Sequence, residues 1–176
     1  ELMETVDPAQ AIITHDSGGP REQLLPFWRA TEPGGYMGWG KTTQLGYGLG
    51  IIMGAKLARP EKLCVNLMGD ASIGMVGLDL ETAARHGIGI LTIVFNNGVM
   101  AMERSFMATA IERFQGHTLG GNYAEMANAL GVAAERVAAP DAFGPALKRA
   151  IAATEAGRPA LIECLTKEST DMSRYR

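Results

Sequence analysis

The strongest constraint on the fold is a pair of short apolar runs, Leu63–Met68 and Ile90–Phe95, each stopping abruptly at a polar loop. Six consecutive mostly apolar residues have no polar face to offer water. They are also too few for a buried helix of ordinary length, so each reads as a strand covered on both sides. Ala11–Thr14 and Ala160–Leu165 repeat the pattern, and Val132–Val137 repeats it weakly. The stretches between them carry helical signals. Helix is expected from Arg21 to Ala30 despite Pro26, from Leu45 to Ala58, from Met75 to His86 on Val76, Leu80, Ala83 and Ala84, and from Val99 to Phe114. Asn122 with Glu125 forms a capping box for a helix closed by Gly131, and Asp141 caps one running to Gly157. Strands alternating with helices imply a mainly parallel sheet between two helical layers, joined by right-handed crossovers. Ligands of such sheets sit at the carboxyl ends of the strands.

Composition adds exclusions. With 176 residues, 47% hydrophobic and 20% charged, the chain has the make-up of one globular domain. A net charge of -3 provides no footprint for nucleic acid or anionic lipid, and no apolar run approaches the ~20 residues of a membrane span. Cys64 and Cys164 lie in strand-like runs and read as buried thiols of a reducing, cytoplasmic compartment. The unusual component is glycine, with 22 residues, eight of them between Gly34 and Gly54. Gly46, Gly50 and Gly54 recur every fourth position, so one bare helix face is expected against a neighbouring backbone. The first residue is Glu1 rather than Met, which reads as a fragment or a processed chain.

Two loops carry the chemistry: Gly69-Asp70-Ala71-Ser72 after one strand, and Asn96-Asn97-Gly98-Val99 after the next. Parallel neighbouring strands lie ~4.8 Å apart, so the Asp70 carboxylate and the Asn97 amide can share one cation. An all-oxygen set suits Mg²⁺ or Ca²⁺ rather than zinc. So few protein ligands point to Mg²⁺, which fills its octahedron with water and substrate phosphates, and hence to a phosphorylated ligand. A helix opening at Asp70 would aim its first amides at that phosphate.

These loops resemble the diphosphate and metal motif of thiamine diphosphate enzymes, which opens Gly-Asp-Gly and closes Asn-Asn; here Asn97 follows Asp70 by 27 positions and Ala71 stands at the third place. Leu45-Gly46-Tyr47-Gly48-Leu49-Gly50 through Ala58 is similar to a segment of acetolactate synthases and benzoylformate decarboxylases, with Gly50 replacing a proline. The resemblance implies a three-layer α/β/α fold with about six strands, forming a diphosphate-binding domain over residues 1–176, a fragment or subunit of a larger enzyme. It implies Mg²⁺ ligation by Asp70, Asn97 and the Val99 carbonyl. Diphosphate contacts would come from Gly69, Ala71, Ser72, Asn97 and, more loosely, Ser17 and Gly18, with Leu45 propping the cofactor in a bent conformation. The implied chemistry is decarboxylation or carboligation of a 2-oxo acid, with thiamine diphosphate as electron sink. The activating glutamate would belong to a pyrimidine-binding domain of another subunit in a homodimer or homotetramer. The isolated chain is then expected to be inactive.

Two other readings compete. Gly35-Tyr36-Met37-Gly38-Trp39-Gly40-Lys41-Thr42 fits the phosphate loop of nucleotide triphosphatases, although the prolines and charges of Pro26–Gly34 argue against the strand that must feed such a loop. A cofactor-binding domain without turnover is the other. His15, at a strand end, is either an acid–base group or a hydrogen-bonded loop histidine. His86 suits a helix C-terminus, His117 has no assigned role, and Met100, Met102 and Met107 fit a core or lid face.

Overall fold

The computed structural model describes residues 1–38, 40 and 44–170. Among these residues six strands form one all-parallel sheet: β1 (Ala11–His15), β2 (Tyr36–Met37), β3 (Leu63–Gly69), β4 (Ile90–Asn96), β5 (Ala133–Val137) and β6 (Ala160–Leu165), in the order β2-β1-β3-β4-β6-β5. Among the described residues eight α-helices connect or flank them: α1 (Leu2–Thr5), α2 (Gly19–Leu24), α3 (Tyr47–Ala58), α4 (Asp70–Val76), α5 (Leu80–Arg85), α6 (Ala108–Phe114), α7 (Tyr123–Ala129) and α8 (Phe143–Glu155). Among the described residues no helix is long and apolar enough to cross a membrane.

Side chains alternate along the central strands and feed two cores. Cys64 and Met68 of β3 with Ile90 and Val94 of β4 pack against Leu49 and Ile52 of α3, Ile73 of α4, Leu80 of α5 and Ala127 of α7. Val65 and Leu67 with Leu91 and Ile93 face the opposite way, toward Leu24 of α2 and Leu147 of α8. Ile73, Ile90, Leu91 and Leu147 are fully buried, each contributing about 1.5–3 kcal/mol of transfer free energy. The expected three layers are therefore present, with a core on each face of the sheet.

Strand order decides where a ligand fits. From β1 the chain moves outward to the edge strand β2, then returns past β1 to β3 and continues inward to β4. The loops after β1 and β3 consequently leave the sheet toward opposite faces, α2 into one core and α4 into the other. The gap they open at the carboxyl edge is where doubly wound sheets bind ligands.

Several local expectations are corrected. Met75–His86 is not one helix: a 3₁₀ turn at Gly77–Asp79 separates α4 from α5. Val99–Phe114 holds a bridge at Val99, a 3₁₀ turn at Ala101–Ser105 and only then α6. Helix α2 ends at Leu24, before Pro26. Asp141 lies in a 3₁₀ turn and Ala142 takes the N-cap position of α8, whereas Asn122 does cap α7, accepting the Glu125 N–H at 3.1 Å. Of Gly46, Gly50 and Gly54, only Gly46 makes the close approach expected, buried against Val76. Gly50 and Gly54 are exposed with nothing near them, while Gly48, Leu49, Ile52 and Ala55 are buried.

Candidate functional site

At the carboxyl edge lies a cavity of about 490 Å³ whose lining includes Ser17, Gly18, Leu45, Gly69, Asp70, Ala71, Ser72, Asn97 and Val99. Every residue that the sequence singled out for a cofactor or a cation thus meets in one place. They arrive from four segments, after β1, before α3, after β3 and after β4.

Asp70 is 4% exposed and is the first residue of α4. Its Oδ1 accepts the Ala71 N–H at 2.9 Å, and its Oδ2 accepts the Gly98 N–H at 2.7 Å, tying the β3 loop directly to the β4 loop. Burial pushes its pKa up; the N–H groups of Gly98, Ala71 and Asn97 push back. A cation in the cavity would favour the same carboxylate. Asn97 Oδ1 accepts the Val99 N–H at 3.0 Å, which orients the amide within the turn. Gly98 makes this turn possible, with φ at 73°, a region that costs other L-residues energy.

Leu45 is half-buried and fixed from behind by Gly46. Gly46 has φ at 88°, donates its N–H to Asp16 Oδ1 at 2.9 Å, and lies so close to α4 that a Cβ would sit 2.5 Å from Val76 Cγ1. Only glycine fits there. Asp16 itself is fully buried, which raises its pKa from 3.8 to about 6 against the pull of the Gly46, Gly48 and Ser17 amides.

The residues present fit a diphosphate and a divalent cation on one observation of the site itself. Ser72 lines the cavity and is 1% exposed, and its buried Oγ has no hydrogen-bond partner among the described residues. An unsatisfied buried hydroxyl costs about 1–3 kcal/mol, which a phosphate oxygen would relieve. Among the described residues no group of three or more His, Cys, Asp or Glu side chains is placed to hold a metal. A cation at Asp70 would therefore be held by one carboxylate and neutral oxygens, which is the habit of Mg²⁺.

Other expectations divide between the cavity and the rest of the fold. His15 is buried, its Nδ1 2.9 Å from the Asp16 carbonyl and its Nε2 2.6 Å from the Tyr36 hydroxyl; burial lowers its pKa, and it does not line the cavity. Its hydrogen bonds are those expected of the second reading. His86 contacts Arg85 at 2.9 Å, and His117 lies 3.3 Å from Arg104. Met100 and Met102 line the cavity, and Met107 does not. The phosphate-loop reading is not favoured: Tyr36–Met37 is a strand paired with Ile13 and Thr14, so it cannot wrap a phosphate, and Gly35, Gly38 and Gly40 are absent from the cavity lining. Trp39, Lys41 and Thr42 of that motif lie outside the described residues.

Sequence reading missed the far wall, which Glu103 and the segment Thr166–Ser169 supply through Thr166, Lys167 and Ser169. Arg104 ties the two walls together by an ion pair to Glu168 at 3.0 Å. The signal was available, since this segment follows β6 and therefore opens on the same edge as the other loops.

Taken together, the switch in strand order and the polar pocket at the carboxyl edge define a cofactor-binding α/β domain. The chain belongs to the thiamine pyrophosphate enzymes, matching the C-terminal TPP binding domain of that family over residues 16–164. It is 34% identical to a probable acetolactate synthase of Mycobacterium bovis over 148 residues, covering 81% of this chain and 26% of the relative. A sulfoacetaldehyde acetyltransferase of Alcaligenes xylosoxydans is 28% identical over 176 residues, covering 98% of this chain and 29% of the relative. Among solved structures, a thiamine diphosphate-dependent 4-hydroxybenzoylformate decarboxylase of Rhodococcus jostii superimposes with a TM-score of 0.79 at 28% identity, covering 97% of this chain and 32% of that one. The chain thus spans between a quarter and a third of the length of these proteins.

Proposed function

We propose that this chain binds thiamine diphosphate through Mg²⁺ and takes part in decarboxylation or carboligation of a 2-oxo acid, in the manner of an acetolactate synthase. The observation that carries this reading is the meeting of Asp70, Asn97, Val99 and the unsatisfied Ser72 hydroxyl around one cavity. Asp70 would hold the cation through its carboxylate, Asn97 through its amide oxygen and Val99 through its carbonyl. Gly69, Ala71 and Ser72, with Ser17 and Gly18 opposite, would receive the diphosphate, and Leu45 would support the cofactor between its two rings. When bound, the cofactor supplies an electron sink for the bond broken next to the substrate carbonyl. This chain's own part is to anchor and orient it.

The site is completed by a pyrimidine-binding domain of another subunit, in a homodimer or homotetramer working in the cytoplasm. The chain's coverage of only 26% to 32% of its relatives supports that division. Domain 1–176 is then the diphosphate-binding part of the enzyme.

Titration calorimetry of this chain with thiamine diphosphate, with Mg²⁺ and with chelator, tests the reading. Binding should require the cation and fall at least tenfold in Asp70→Ala, since even residues that only orient a metal ligand are worth about 10–100-fold. Binding indifferent to chelator and to Asp70→Ala would remove the metal assignment. Tight ATP binding that thiamine diphosphate does not displace would restore the triphosphatase reading.

A further inference from the structure

Glu163 sits near the middle of β6, is fully buried, and does not itself line the cavity. A buried carboxylate is costly unless it is paired and hydrogen-bonded, and this one gathers donors from three separate elements. Asn96 Nδ2 donates to its Oε1 at 2.7 Å, and the Ala124 N–H at the start of α7 donates to its Oε2 at 2.9 Å. Arg136, its register partner on β5, donates through Nε at 3.0 Å and Nη2 at 2.8 Å. Burial works to raise the Glu163 pKa, but the hydrogen bonds from Arg136, Ala124 and Asn96 outweigh it and hold the carboxyl below its usual value.

The bond to Asn96 reaches the site. Asn96 Oδ1 accepts the Gly98 N–H at 3.1 Å, and that same N–H reaches Asp70 Oδ2 at 2.7 Å. A continuous chain of hydrogen bonds therefore runs from Arg136 through Glu163 and Asn96 to the Gly98 amide and the Asp70 carboxylate. Asn97, between the two anchored residues, has among the described residues no side-chain tether other than its own turn. We propose that Glu163 is a positioning residue for the cation: by clamping Asn96 it holds the Asn96–Val99 turn so that the Asn97 amide oxygen and the Val99 carbonyl stay in register with Asp70. This rests on the Mg²⁺ reading of the cavity. Four donors converge on Glu163, and the single acceptor oxygen of a glutamine cannot satisfy them. The turn should loosen when the carboxylate is lost.

The experiment compares the parent chain with Glu163→Gln, with Asn96→Ala, which cuts the link while leaving the Glu163–Arg136 pair intact, and with Arg149→Ala, a surface control that breaks the Glu135–Arg149 pair. Two readouts are taken: the Mg²⁺ concentration giving half-maximal thiamine diphosphate binding, and hydrogen exchange of the Gly98 and Val99 amides in the metal-free chain. Glu163→Gln and Asn96→Ala should raise the half-saturating Mg²⁺ about 10–100-fold, with affinity restored by excess Mg²⁺, and should speed exchange of both amides; Arg149→Ala should do neither. A purely structural role would lower the melting temperature and leave the Mg²⁺ requirement unmoved. That pattern, or unchanged exchange in Asn96→Ala, overturns the proposal while leaving the Mg²⁺ reading standing. A parent chain that binds thiamine diphosphate without any divalent cation overturns both. Should Glu163→Gln fail to fold, Asn96→Ala alone decides.

Discussion

The two loops that frame the cavity are held by different means. The β3 loop has almost no loop in it: Gly69 ends the strand, Asp70 opens α4, and three residues later Ile73 is fully buried in the core. The β4 loop is a half-exposed turn through Asn96, Asn97, Gly98 and Val99 with no core residue of its own. It is held by polar tethers instead, through side chains to Glu163 and Asp70 and through its backbone carbonyls to the N–H groups of Leu119 and Thr166. Hydrophobic anchoring couples the first loop to global stability. Tethering lets the second one respond to a ligand separately from the rest of the fold.

The largest test of this contrast is Ile73→Ala. It empties a core position behind the β3 loop and should cost about 2–5 kcal/mol, read as a fall in the urea midpoint with the whole domain unfolding together. A loss confined to the cavity, with global stability intact, would show that α4 is not the anchor described.

The next in size concerns Asp16, which supports the Leu45 segment from beneath the cavity. Its pKa is raised from 3.8 to about 6 in the folded chain, so between these values the native state binds the proton more tightly than the unfolded state does. Its contribution to stability is complete below about pH 4 and is lost as pH rises through 6, about 3 kcal/mol in all at 1.36 kcal/mol per unit. Asp16→Asn should abolish that slope, measured as the difference between denaturation midpoints at pH 4.5 and 7.5. An unchanged slope would place the titrating group elsewhere.

The smallest expected effect on stability is that of Asn96→Ala. Glu163 keeps Arg136 and the Ala124 N–H, and Gly98 keeps Asp70, so the loss of the two Asn96 side-chain bonds should cost about 1–2 kcal/mol. If Asn96→Ala lowered the urea midpoint as much as Ile73→Ala, the two loops would share one anchor and the contrast would collapse.

Apolar pattern alone was enough to specify the central sheet and the polar loops that meet at its carboxyl edge. Continuous apolar runs at Leu63–Met68 and Ile90–Phe95 can be satisfied only between two covering layers, and a carboxylate and an amide stranded at the ends of such runs must share an edge. It did not determine β2, because Tyr36–Met37 is a strand only through its pairing with Ile13 and Thr14. Nor did it reveal which face of α3 is buried, since the glycine spacing is symmetric with respect to inside and outside; contact with the sheet turned Leu49 and Ile52 inward and left Gly50 and Gly54 outside. Tertiary structure alone decided the tether of the β4 loop, for Glu163 lies 67 residues from Asn96 and meets it only because β4 and β6 are neighbours in the sheet. Local pattern records what a residue must do with water. Which distant donor reaches a buried carboxylate is settled by strand order.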